Sequence, residues 1–145
     1  MHQLHYLTLE EAIVIHGKTI EKSGGGALGH FDLGRLESVL QNIQNDDYYP
    51  EFVDKLTHLF FCTCEFHCFE DGNKRLAITL SAKFLLENGY MCVASSFFRN
   101  MENISYHVAA GKIDKALLKR ILVAILNSTY GNDEELKLCI LRAIS

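Results

Sequence analysis

A single proline, Pro50, stands in a chain of 145 residues. Proline breaks helices because it lacks the N–H donor and clashes with the preceding turn, so its near absence leaves long helices uninterrupted and predicts a mostly helical domain. Positive charge is also short. The net charge of −4 provides no electrostatic footprint for nucleic acid or an anionic membrane surface. No apolar run approaches the ~20 residues of a membrane-spanning helix, and Met1-His2-Gln3-Leu4-His5 lacks the charged-then-apolar layout of a secretory signal. Without such a signal, the five cysteines read as reduced thiols in a cytoplasm and not as a disulfide framework. Internal repeats and low-complexity stretches are missing too.

What is present fits one domain over residues 1–145: 48% of the chain is hydrophobic, enough for a proper core and too short for two comfortable ones. Thr8-Leu9-Glu10-Glu11 forms a capping box, followed by an apolar stripe of Ala12, Ile13, His16 and Ile20 that stops at Ser23 and three glycines. His16 on that stripe is read as a core histidine, and the glycine-rich stretch 24–31 as a loop. Asp32 caps a helix carrying Leu33, Leu36, Val39, Leu40 and Ile43. The acidic pair Asp46-Asp47 beyond it is read as a solvated turn. A helix over 51–66 presents Phe52, Leu56, Leu59, Phe60 and Thr63. Residues 76–86 are apolar on nearly every face, which places them at the centre of a bundle, with Gly89 as a terminating C′ glycine. Residues 90–94 are a short apolar run, expected as an extended segment, and 97–110 a further helix. Ile113-Asp114 opens an amphipathic helix, and Leu136, Ile140, Leu141 and Ile144 mark a last one. Residues 131–145 read as a C-terminal extension that either caps the core or meets another subunit.

The chemistry concentrates in His67-Cys68-Phe69-Glu70-Asp71-Gly72-Asn73-Lys74-Arg75, between two buried helices. An imidazole, two carboxylates, a flexible glycine, an amide and two adjacent cations suit phosphate chemistry. A loop opening into a helix offers backbone N–H groups and a positive dipole end to an anion. Lys74 adds a point charge and Arg75 a fork of donors. Asp71 supplies a hard oxygen of the type that holds magnesium, and His67 has a pKa suited to a general base. A rival reading takes Cys62, Cys64, His67 and Cys68 as zinc ligands. On a helix, however, Cys62 points away from the face shared by Cys64 and Cys68, and no second pair completes the spacing. Free buried cysteine, a small hydrophobe, accounts for Cys62 and Cys64.

His67-x-Phe69-x-Asp71-Gly72-Asn73-Lys74-Arg75 resembles the signature of the Fic/Doc superfamily, and most nearly its Doc (death-on-curing) toxin branch. The Fic branch usually carries glycine where this chain has Lys74, and a second arginine where it has Ile78. The similarity extends from about residue 4 to 126, through Ser23-Gly24-Gly25-Gly26, Gly29, the segment from Asp32 to Leu40, Phe84-Leu85 and Asn88-Gly89. Two positions depart from the pattern. Phe31 replaces an arginine common before the aspartate in a target-docking flap, and Cys68 stands where relatives have proline or an aliphatic residue.

The resemblance implies an all-α, single-domain bundle around a buried central helix, with at most a short hairpin or flap. It implies His67 as the base that takes a proton from a target hydroxyl, Asp71 as the magnesium ligand, and Gly72 and Asn73 as phosphate-binding loop. Lys74 and Arg75 then neutralise charge during transfer, with Thr79 one turn on as a further hydroxyl contact. ATP is the implied phosphate donor. Doc-type relatives move its terminal phosphate, whereas Fic-type relatives move a nucleoside monophosphate; Lys74 and Ile78 place this chain with the former. By the same resemblance the target is a threonine of translation elongation factor Tu, so that protein synthesis stops in a prokaryotic cytoplasm. Many Fic relatives carry an inhibitory Ser/Thr-x-x-x-Glu-Gly/Asn helix, to which residues 129–133 are only a near miss. The partner implied instead is a small antitoxin whose tail covers the site. The alternatives are Fic-type adenylyl transfer and a non-catalytic interaction module on the same scaffold.

Overall fold

The computed structural model describes residues 3–22, 33–65 and 73–145. They form seven α-helices and no strand: α1 (Leu9–Lys22), α2 (Leu33–Asn42), α3 (Phe52–Glu65), α4 (Asn73–Glu87), α5 (Met91–Ala109), α6 (Lys115–Leu126) and α7 (Glu134–Ile144), with a 3₁₀ turn over Tyr130–Asn132 before the last. This is the all-α architecture expected. The glycine-rich stretch, Asp32 and Phe31 lie outside the described residues, as do His67, Cys68, Asp71 and Gly72.

Helix boundaries follow local chemistry. At the start of α1 the Glu11 backbone N–H donates to the Thr8 hydroxyl at 3.2 Å, and the Thr8 N–H donates back to the Glu11 carboxylate at 3.3 Å, the reciprocal pair of a capping box. Asp114 and Asp133 cap α6 and α7 by accepting from Leu117 N at 2.8 Å and Leu136 N at 3.0 Å. Three helices end in the same way. After α4 the N–H of Tyr90 reaches the Leu85 carbonyl and that of Gly89 the Leu86 carbonyl, the Schellman pairing, with Gly89 at φ +93°. Gly111 does the same after α5, while after α6 the left-handed position falls to Ser128, at φ +60°.

α4 lies at the centre, packed against α1, α3 and α5. Leu76, Ala77, Ile78, Leu80, Ser81, Phe84 and Leu85 are all buried, so the helix is enclosed on nearly every side. Truncating such a residue to alanine typically costs about 2–5 kcal/mol. Rings tie the elements together: Phe52 of α3 stacks on Phe84 of α4 and on Tyr90, each at 4.8 Å between centroids. Asn88 clamps the N-terminal segment, accepting from His5 N at 2.9 Å and donating to His5 O at 3.0 Å.

Two expectations need correction. Residues 90–94 are not extended: α5 begins at Met91. A five-residue apolar run fits either structure locally; here Tyr90 is anchored on Phe52 and the Ala94 N–H bonds to the Tyr90 carbonyl, starting the helical ladder. Asp46 is the exposed turn residue expected, and its carboxylate in addition lies 2.7 Å from the ammonium of Lys55. That lysine is almost wholly buried, and its ammonium also donates to the Ile43 carbonyl at 2.7 Å; it locks the end of α2 to α3. Leu141, counted with the apolar stripe of the last helix, is half exposed. Leu136 and Ile140 of α7 do join the core, and His16 is buried as read from the sequence.

Candidate functional site

The first turn of α4 breaks a local rule. Helix starts favour acids, because their unsatisfied N–H groups carry partial positive charge, yet here the first turn holds Lys74 and Arg75 and no acidic residue. Each misplaced cation costs a few tenths of a kcal/mol to about 1 kcal/mol. An anion placed there would reverse the sign of that effect, and positions that contradict local preference tend to be functional.

Both cations are exposed and line a cavity of about 1030 Å³ between α1, α4 and α5. Lys18 of α1 and Arg99 of α5 line the same cavity. None of the four is ion-paired with a described residue. Glu102 is the single acid among the described lining residues, which together carry net positive charge although the chain as a whole is negative. Ile15, Ile78, Phe98 and Tyr106 supply apolar surface. A large cavity with an apolar wall and a few convergent polar groups is the usual form of a small-molecule site, and this size and charge suit a polyphosphate joined to a flat, partly apolar group.

The structure thus brings Lys74, Arg75 and Thr79 to one cavity. Thr79 donates its hydroxyl proton to the Arg75 carbonyl at 2.9 Å, so it reaches a phosphate only by giving up that bond. Asn73 is buried at the head of α4. His67, Asp71 and Gly72 fall outside the described residues, immediately before that helix. Cys64 is fully buried, and burial pushes its thiol up to about 12, which keeps it a protonated, apolar core group at neutral pH. Sequence reasoning missed Lys18 and Arg99. Nothing in their spacing from residue 75 marks them; only the packing of α1 and α5 on α4 makes them neighbours.

The family model described as "Fic/DOC family" matches residues 6–85, from just before α1 into the last turn of α4. "Protein kinase doc" of Escherichia phage P1 is 30% identical over 135 residues, which cover 90% of this chain and 100% of that protein.

Proposed function

The chain belongs to the Fic/DOC family, and from that premise we propose that it is a Doc-like toxin which transfers the terminal phosphate of ATP to a Ser or Thr hydroxyl of a protein target. The observation that carries this reading is a cation pair at the amino end of a core helix, without an ion-pair partner among the described residues, opening on a cavity of nucleotide size. Phosphoryl transfer asks the protein mainly for positioning and for positive charge where negative charge accumulates. Core packing holds α4 rigid, and Lys74 and Arg75 sit where its backbone dipole adds to their charge. His67, four residues before Asp71 in the sequence, is assigned the removal of the target hydroxyl's proton, a contribution of about 10² to 10⁴ in rate. Gly72 and Asn73 are assigned to the phosphate-binding loop. Magnesium, when bound, would be held by the hard carboxylate oxygen of Asp71 and would neutralise phosphate charge.

Kinase action is favoured over adenylyl transfer by two positions. Lys74 adds bulk and charge where Fic relatives have glycine. Ile78 is buried and lines the cavity where those relatives place a second arginine, so position 78 offers the outer phosphates no guanidinium in an adenylylating pose. By resemblance the target is elongation factor Tu, and the partner that silences the chain is a small antitoxin with a tail across the site. Self-inhibition by the C-terminal segment is disfavoured, since α7 packs on α6 and no lining residue of the cavity comes from either.

Incubating the purified chain with that factor and either γ-labelled or α-labelled ATP tests the reading. Label should pass to the factor from the γ position only. Transfer from the α position alone would overturn kinase action, and toxicity undiminished by His67→Ala would point to a binding module.

A further inference from the structure

A second polar cluster lies away from the α4 cavity, between α3, α6 and the turn before α3. The imidazole of His58 stacks on the ring of Tyr49, centroids 4.6 Å apart. Its Nδ1 is 2.7 Å from the Lys115 ammonium and its Nε2 is 3.2 Å from the Tyr49 hydroxyl. An ammonium can only donate, so Nδ1 accepts, and the proton of the neutral ring sits on Nε2 and is donated to the Tyr49 oxygen. Burial, and next the charge of Lys115, pull the imidazole down to about 4, which keeps it a neutral acceptor at physiological pH. The ammonium also lies 5.6 Å from the Tyr49 ring centroid.

This pairing leaves donors over. The phenol has accepted from His58 and still carries its own proton, and two of the three ammonium N–H groups of Lys115 remain. Neither residue has an acceptor for them among the described residues. Both line a cleft of about 330 Å³ with Lys119 and the exposed Tyr48. The carboxylate on its wall, Asp54, is held by Lys119 at 2.6 Å. Burial alone would raise Asp54, but the Lys119 hydrogen bond and the nearby lysine charges outweigh it and keep the group ionised. With both lysines charged, the cleft keeps net positive charge. It shares no lining residue with the larger cavity and has about a third of its volume, room for a small ligand or one charged group.

We propose that this cleft is a second ligand site, in which the Tyr49 hydroxyl and the Lys115 ammonium hold a small oxyanion, a phosphate or a carboxylate. His58 is its positioning residue: it orients both groups, taking up one Lys115 N–H and leaving the other two and the Tyr49 proton for a ligand.

The test is an NMR titration of the full chain with inorganic phosphate and, separately, with acetate, following the ring signals of Tyr49 and His58. Phosphate should shift both rings and saturate in the low millimolar range, ahead of acetate, because a dianion gains more from two lysines. Tighter acetate binding would assign the site to carboxylates. The dissociation constant should rise about tenfold in Lys115→Met, the worth of one charge-assisted hydrogen bond, and less in Tyr49→Phe, which keeps the ring stack and tests the site even if Lys115→Met disturbs folding. Arg75→Ala, which weakens anion binding at the other cavity, should leave these curves unchanged. Ring signals that fail to saturate with either anion, or that respond equally in Lys115→Met and Tyr49→Phe, would overturn the proposal. So would shifts that vanish in Arg75→Ala.

Discussion

Acid should destabilise this protein through His58 in particular. Folding takes its imidazole from an ordinary value near 6.5 to about 4, through burial first and the Lys115 charge second. The folded state therefore refuses a proton that the unfolded chain accepts. Stability is fully present above about pH 6.5, falls as pH drops towards 4, and loses nothing more from this group below that. At 1.36 kcal/mol per unit the whole shift would be worth about 3 kcal/mol. The ring is only partly buried and water screens part of the Lys115 charge, so a loss of about 1–2 kcal/mol is the expected size. Urea unfolding at about pH 7.5 and about pH 4.5 measures it, with wild type compared with His58→Gln, which keeps a polar side chain but does not titrate. Carboxylates and the other histidines contribute equally to both proteins, so the difference in acid loss isolates His58. Lys115→Met should show an intermediate loss, since it removes the second cause and leaves burial. If wild type and His58→Gln lose stability in parallel, within about 0.5 kcal/mol, the reasoning is refuted.

Three other substitutions test separate parts of the account. Arg75→Ala should lower phosphate transfer by about 10² or more, the usual effect of losing one donor to developing charge, while circular dichroism and melting temperature stay near wild type because the side chain is exposed. Ser128→Gly should raise stability by about 0.5–1 kcal/mol in thermal melts, since Ser128 occupies a left-handed conformation at φ +60° that glycine adopts without a Cβ penalty. Asp46→Asn should cost about 1–3 kcal/mol in denaturant unfolding although Asp46 is itself exposed, because it strips the carboxylate from the buried ammonium of Lys55; an unchanged midpoint would show that water replaces the carboxylate fully.

Sequence legibility follows the range of the interaction concerned. The Thr8–Glu11 box, the Gly89 terminus and the all-round apolar face of α4 were readable because each depends on residues within a turn or two. The same holds for the phosphate-suited inventory from His67 to Arg75, whose types and adjacency identify the family without coordinates. Residues 90–94 misled because their apolar run is shorter than the length that separates a strand from a helix start. Asp46 was read correctly as an exposed turn residue, but its ion pair was not legible, because its partner's burial cannot be read from spacing.

By itself, then, the sequence determined the helical class, the central helix and the cations at its head: hydrogen bonding and amphipathic period act over a few residues and leave their mark in order and spacing. Only the tertiary structure decided that Lys18 and Arg99 line one cavity with Lys74 and Arg75, and that Tyr49, His58 and Lys115 meet in another cleft. Those encounters depend on the angles at which packed helices cross, and side-chain volumes throughout the core set those angles together.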